Sequence, residues 1–309
     1  MTRSLARAAA VLTPVALSLL ACQRRTDPPP APDPYVLTTF YPTTYFAQRI
    51  TGDRVEIACP LPDGADPIFW QPSRDAIAQY QGARLVIVNG ADFERWLPTV
   101  SLPQSRVVDT AAGFKERFLQ FKTATHSHGA GGTHTHEGID GHTWVDPQNA
   151  KMQAKAIADA LARAFPAHAS AFATGLVALQ ADLDALATRC AEVTPLLTGV
   201  KLLASHPAYD YLAARHGWNL HNLDLDPDAP LSADDLAAIE KAKGDASRCV
   251  LLWEGPPSPA TTQQLEGLGV TSVLFSPAEN VSAADLAAGQ DYLAIMRGNF
   301  ERLGASLRR

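Results

Sequence analysis

Cysteine is scarce here: Cys22, Cys59, Cys190 and Cys249 are the only four in 309 residues, and no two stand in a CxxC spacing. If Cys22 is spent elsewhere, as argued below, three remain and at most one bridge is possible. Cys190 on an apolar helical stripe and Cys249 at the start of a strand form a conceivable pair, or two small core residues. Long basic runs are absent, and a formal net charge of -6 spread over dispersed acids leaves no electrostatic footprint for nucleic acid. HExxH, GxSxG and Walker patterns are missing, and Gly129 to Gly132 lacks the preceding strand and the lysine that cradle phosphate. A catalytic zinc site needs three ligands, an open position and a general base, and no base presents itself. The chain therefore reads as non-enzymatic.

What is present is a globular composition, 46% hydrophobic over 309 residues, enough for about two domains. Residues 1–22 stand apart. Arg3 and Arg7 precede an apolar run from Ala8 to Ala21 that is short for a bilayer span and reads as an export signal. It closes on Leu19-Leu20-Ala21-Cys22, a lipobox-like end that makes Cys22 the candidate lipidated N-terminus, with multiple acyl chains giving stable anchoring. Residues 23–34, rich in proline, read as an extended tether. The expectation is a protein held outside the cytoplasm on the face of a bacterial membrane.

From Tyr35 onward, strand-like and helical runs alternate: strands at Tyr35 to Phe40, Val55 to Cys59, Leu85 to Val88 and Val107 to Asp109, with helices at Thr44 to Ile50 and near Ser73 to Gln79. Phe93 to Leu97 continues the pattern. Such alternation implies parallel βαβ units. Asp146 before Pro147 is a helix cap with proline at the first helical position, and that helix runs to about Phe165. From about Ala167, Phe172, Leu176, Leu179, Leu183, Leu186 and Cys190 recur at steps of four and three, predicting one long amphipathic helix to residue 193. A second series follows: strand Lys201 to Ala204, helix Ala208 to His216, strand Asn219 to Leu225, helix Ser232 to Lys243, strand Cys249 to Trp253, helix Pro259 to Leu268, strand Ser272 to Phe275 and a closing helix Ala283 to Leu307. The predicted fold is α/β: two lobes with parallel sheets, residues 35–166 and 194–309, joined by a rigid helix.

The chemistry gathers in Thr125 to Asn149. Four histidines (His126, His128, His134, His136) pass through a glycine-rich turn into Gly141-His142-Thr143-Trp144-Val145-Asp146-Pro147. Imidazoles are common ligands of zinc and its neighbours, and a stretch this rich in glycine has few groups with which to hold one fold. A histidine-biased loop without function is the competing reading. His142 and His206 each stand just before a helix, where α/β proteins place binding groups.

These stretches resemble the solute-binding proteins of zinc and manganese ABC importers, the ZnuA/TroA-like group. Tyr41 to Ala47 with Gly52-Asp53-Arg54-Val55 is similar to the family's opening strand and helix. Gly64-Ala65-Asp66-Pro67 with Trp70-Gln71-Pro72-Ser73 is similar to its first ligand loop, His142 to Pro147 to the second, and Ser205-His206-Pro207-Ala208-Tyr209-Asp210-Tyr211 to the third. The histidine-rich insert lies where zinc-specific members carry one. The resemblance implies a monomer that binds one divalent metal, zinc above all, between its lobes and delivers it to an ABC permease. Release follows small movements of the ligand loops, because a continuous joining helix resists bending. A surface metal buffer or adhesin without a permease uses the same residues.

Two family positions depart from the pattern. Ile68 stands where the first loop usually presents histidine, and Ser276 where an aspartate usually precedes Pro277. Three routes remain open. Asp66 supplies a carboxylate, giving a two-histidine, one-carboxylate site. Alternatively His134 or His136 folds back from the loop and couples loop order to occupancy. Or Phe69, Trp70 and Trp144 line an apolar cleft for a metal chelate or organic ligand. Glu254, after the strand Val250 to Trp253, is a candidate orienting partner for an imidazole, as is Trp144 beside His142. Asp224, Asp226 and Asp228 read as a solvated turn.

Overall fold

The computed structural model describes residues 35–121, 124–128, 132–136 and 138–308, with backbone alone for 124–128 and 132–136. The export signal, Cys22 and the tether lie outside the described residues.

The first sheet is assembled from β1 (Val36–Thr38), β2 (Ile57–Ala58), β3 (Leu85–Val88) and β4 (Val107–Asp109), all parallel in the order β2-β1-β3-β4. Helix α1 (Tyr41–Thr51) crosses from β1 to β2, and α2 (Arg74–Gly82) from β2 to β3. Strand β3 is four consecutive buried residues, Leu-Val-Ile-Val, as a sheet covered on both faces requires. Helix α1 starts three residues before the expected Thr44 because Pro42 suits the first turn. Phe93 to Leu97 forms no strand and no α-helix. The chain leaves β3 through Gly90, Ala91 and Asp92 at φ 81, 51 and 56°, a left-handed run that ends regular structure. Gly90 is obligatory there, since a Cβ would stand 1.8 Å from Asp109 Oδ1.

Strands β5 (Ala124–His128) and β6 (Gly132–His136) pair antiparallel, with His126 opposite His134 and Ala124 opposite His136. A hairpin thus replaces the expected unstructured loop; the side chains of its four histidines lie outside the described residues. Helix α3 (Pro147–Ala164) begins where the cap predicted, Asp146 accepting from the Gln148 amide at 2.9 Å.

Helix α4 (Ala169–Val193) runs 25 residues, burying Phe172, Leu179, Leu183, Leu186 and Cys190 along the predicted stripe. It packs on α1 and α3 of the first lobe and on α9 (Tyr292–Leu307) of the second. Gly175 permits the closest approach, a Cβ there falling 2.4 Å from the Ile50 carbonyl oxygen.

The second sheet holds β7 (Lys201–Ala204), β8 (Leu220–Asn222), β9 (Cys249–Trp253) and β10 (Val270–Leu274), parallel in the order β10-β9-β7-β8. Between them run α5 (Asp210–His216), α6 (Ala233–Lys243) and α7 (Pro259–Gly267). The closing helix is two: α8 (Ala283–Ala287) stops before Gly289 at φ 78°, and Asp291 caps α9 afresh through the Ala294 amide. Cys59, Cys190 and Cys249 are free thiols, so the conceivable Cys190–Cys249 bridge does not form. No helix among the described residues is long and apolar enough to cross a membrane.

Candidate metal site between the lobes

Parallel strands deliver their loops to one edge, and the sheet order decides which loops are neighbours. In the second lobe β7, β9 and β10 lie side by side, Ala204 level with Leu252 and Leu252 level with Val273. Two residues past Ala204 comes His206. Two past Leu252 comes Glu254, whose amide donates to Ser205 Oγ at 3.4 Å. After β10 the chain turns through Ser276, pinned by Asn299, and Ala278 at φ 58°, and then presents Glu279.

From the first lobe comes His142. Asp140 Oδ1 accepts from both its backbone amide, at 2.9 Å, and its ring Nδ1, at 2.8 Å. That assigns the Nδ1 proton and turns Nε2 toward the other lobe. There it meets Glu279 Oε1 at 3.0 Å. The ring is fully buried, edge-on to Phe93. His206 stands opposite, 7% exposed, its ring centre 5.4 Å from that of His142 and its Nδ1 3.9 Å from Glu254 Oε2.

The charges are unusual. Burial alone would lower the His142 pKa, but hydrogen bonding and charge from Asp140 and Glu279 outweigh it and push it up to about 10. Burial, reinforced by repulsion from Glu279, raises Glu254 to about 8 despite the opposing effect of His142. At neutral pH the His142 imidazole is therefore held in its protonated form, facing the Glu279 carboxylate. His142 Nε2 and Glu279 Oε1, 3.0 Å apart, are both buried, and neither has any other hydrogen-bond partner among the described residues. A ring nitrogen and a carboxylate oxygen with no other partners fit an ion between them. Two ligands at about 2.0–2.1 Å on one tetrahedral zinc lie about 3.3 Å apart, and two imidazole centres about 5.2 Å apart. The observed 3.0, 3.9 and 5.4 Å straddle those values. The donors nevertheless face each other as pairs: among the described residues, no group of three His, Cys, Asp or Glu side chains is already placed to hold a metal.

Other sequence candidates find different places. Asp66 is exposed and its Oδ1 accepts from the Ile68 amide at 2.8 Å and the Phe69 amide at 3.3 Å, stabilising the loop, while its charge is felt at Glu254. Ile68 is 7% exposed and lines a small cavity with Phe93, Gly141 and His142. The three aromatics do not line one cleft. Trp144 is fully buried against Phe40 and Phe93, whereas Trp70 packs edge-on to Trp96 in a separate cluster. The apolar-cleft route is thereby set aside. Asp224 and Asp226 are half-buried and Asp228 is exposed, Asp226 Oδ1 accepting from the Asp228 amide at 2.8 Å.

Trp144 fastens the lobes. Its Nε1 donates to the Pro277 carbonyl, and Tyr292 donates to the Trp144 carbonyl, both at 2.7 Å. Tyr211 donates to the Asp140 carbonyl at 2.8 Å, and Arg215 pairs with Asp146 at 2.5 Å. Asn280, next to Glu279, donates to the Ala65 carbonyl at 3.0 Å. The His142 segment is thus bound to the opposite lobe on both sides.

Residues 36–306 match the family model described as zinc-uptake complex component A, periplasmic. The chain belongs to the ZnuA family. Among relatives, the zinc-binding lipoprotein AdcA of Streptococcus pneumoniae is 27% identical over 275 residues, covering 87% of this chain and 54% of AdcA. This chain thus spans about half the length of its streptococcal relatives. The high-affinity zinc uptake system protein ZnuA of Bacillus subtilis is 26% identical over 281 residues, covering 88% of this chain and 87% of that protein. The metal-dependent lipoprotein YcdH of Bacillus subtilis superposes with a TM-score of 0.76 at 22% identity, covering 88% of this chain and 98% of that one, and shares the ZnuA-like fold.

The sequence does not single out Glu279: the resemblance marks Ser276, and this carboxylate stands three residues later on the same turn.

Proposed function

We propose that this chain is an extracytoplasmic solute-binding protein that captures zinc between its lobes through His142, His206 and Glu279 and delivers it to an ABC permease. The observation carrying this reading is the meeting of His142 Nε2 and Glu279 Oε1 from opposite lobes at 3.0 Å. Glu279, three residues further along the same turn, supplies the carboxylate that Ser276 does not. Zinc is the substrate: it replaces the proton between His142 and Glu279 and satisfies both at once. Asp140 holds the imidazole in the tautomer that binds.

Transport, rather than any catalytic step, follows from the family's uptake role. The Trp144, Tyr292, Tyr211 and Arg215 ties oppose wide opening, so release proceeds by local movement of the Glu279 and Asp66 loops. Asp66 acts at the rim as a loop-stabilising carboxylate. Cys22 carries the lipid, residues 23–34 form the tether, and the protein works as a monomer on the outer face of its membrane.

The test is a chelator-competition titration of stripped, soluble protein with zinc. One tight site, lost in both His142→Ala and Glu279→Gln, supports the reading. A wild type without tight zinc binding, or with binding indifferent to both substitutions, overturns it.

A further inference from the structure

Ile68 cannot coordinate a metal, so three donors leave a tetrahedral ion one short. We propose that Glu254 is the fourth zinc ligand, replacing an imidazole by a carboxylate and making the site two histidines and two glutamates. This rests on the zinc-binding reading above.

Topology places Glu254 where a ligand is needed. Strand β9 lies between β7 and β10. Its first loop residue therefore stands between His206, which follows β7, and Glu279, which follows β10. The backbone there is fixed: Ser205 donates its amide to the Leu252 carbonyl at 2.8 Å, and Phe275 donates to the Trp253 carbonyl at 2.7 Å. Glu254 Oε2 is 3.9 Å from His206 Nδ1, within about 0.6 Å of the spacing of two ligands on one zinc. The Glu254 side chain is only 24% exposed. A mostly buried carboxylate flanked by a second one calls for a cation. Asp66, by comparison, is exposed and has one oxygen committed to its own loop.

A carboxylate that only orients His206 would also weaken binding when lost, by about 10–100-fold. Affinity must therefore be read together with coordination. The experiment loads the wild type, Glu254→Gln, Glu254→Asp, Glu254→Gln/Ile68→His and a chain lacking residues 125–138 with cobalt(II) as the spectroscopic probe, and measures zinc dissociation constants in parallel. The expected result is a tetrahedral cobalt spectrum in the wild type whose band positions and intensity change in Glu254→Gln. Zinc affinity should fall at least about 100-fold there, be partly kept in Glu254→Asp, and return in the Ile68→His double variant. A cobalt spectrum unchanged in Glu254→Gln overturns the proposal, as does a fourth ligand lost with the 125–138 segment instead. A wild type that binds neither ion tightly refutes the zinc-binding reading itself, so the two failures are distinguishable.

Discussion

Zinc binding should expel protons in the neutral range, where free histidines have few to give. At pH 7 an imidazole at about 10 is almost wholly protonated, and a carboxyl group at about 8 is protonated in about nine molecules of ten. His142 and Glu254 together then release about two protons per zinc at pH 7. A histidine at its ordinary value of about 6.5 would release only about a quarter of one. Both folded-state values are raised, so metal affinity climbs as pH rises toward them. Between pH 6 and 7 the dissociation constant should tighten by up to about 100-fold per unit, easing to about tenfold per unit between pH 8 and 10. Calorimetric titrations with zinc in buffers of different ionisation enthalpy give the proton number directly. Fewer than about half a proton at pH 7, or an affinity that levels off above pH 7, would refute the charge arrangement described for His142.

Asp140→Asn keeps the shape beside His142 Nδ1 but removes its charge, so zinc affinity should fall about 10–100-fold and proton release at pH 7 should diminish; an unchanged proton number would argue against Asp140 as the main support of the imidazolium. Trp144→Phe removes the indole bond to the Pro277 carbonyl and should lower unfolding free energy by about 1–3 kcal/mol, measured by chemical denaturation. Faster zinc release from the folded variant would accompany it if this tie restrains the lobes. Gly175→Ala drives a Cβ to 2.4 Å from the Ile50 carbonyl oxygen, and should destabilise by about 1–3 kcal/mol or more while leaving zinc affinity of the folded protein within about threefold. Wild-type stability in that variant would mean α1 and α4 are not held as closely as described.

Much of the fold was legible because periodicity and caps are local. The stripe from Phe172 to Cys190 marked α4, and Asp146-Pro147 marked the start of α3 to the residue. Legibility failed where a left-handed turn decided the outcome. Gly90-Ala91-Asp92 broke the expected continuation at Phe93, and Gly289 split the closing helix, because such turns override the propensity of the residues beside them. Ala278 carries positive φ without being glycine, so nothing in its identity announced the turn that presents Glu279. His142 and His206 were found through their motifs, since each sits immediately before a helix. Glu254 reads in the sequence as an orienting group, and the ligand role proposed for it comes from the sheet. Its position between His206 and Glu279 depends on the strand order β10-β9-β7, and chain order does not reveal which loops become neighbours. Trp144, a cleft-wall candidate in the sequence, is a fastening between lobes, a role set by its buried contact with Pro277 more than a hundred residues later.

The central claim is that one zinc ion lies between His142, Glu279 and His206, and it is tested most directly by anomalous diffraction at the zinc edge from crystals of the loaded protein. The account predicts one full-occupancy peak bounded by His142 Nε2, Glu279 and His206, with Glu254 as its fourth neighbour. No peak there, with zinc found instead among the histidines of residues 124–136, would contradict it.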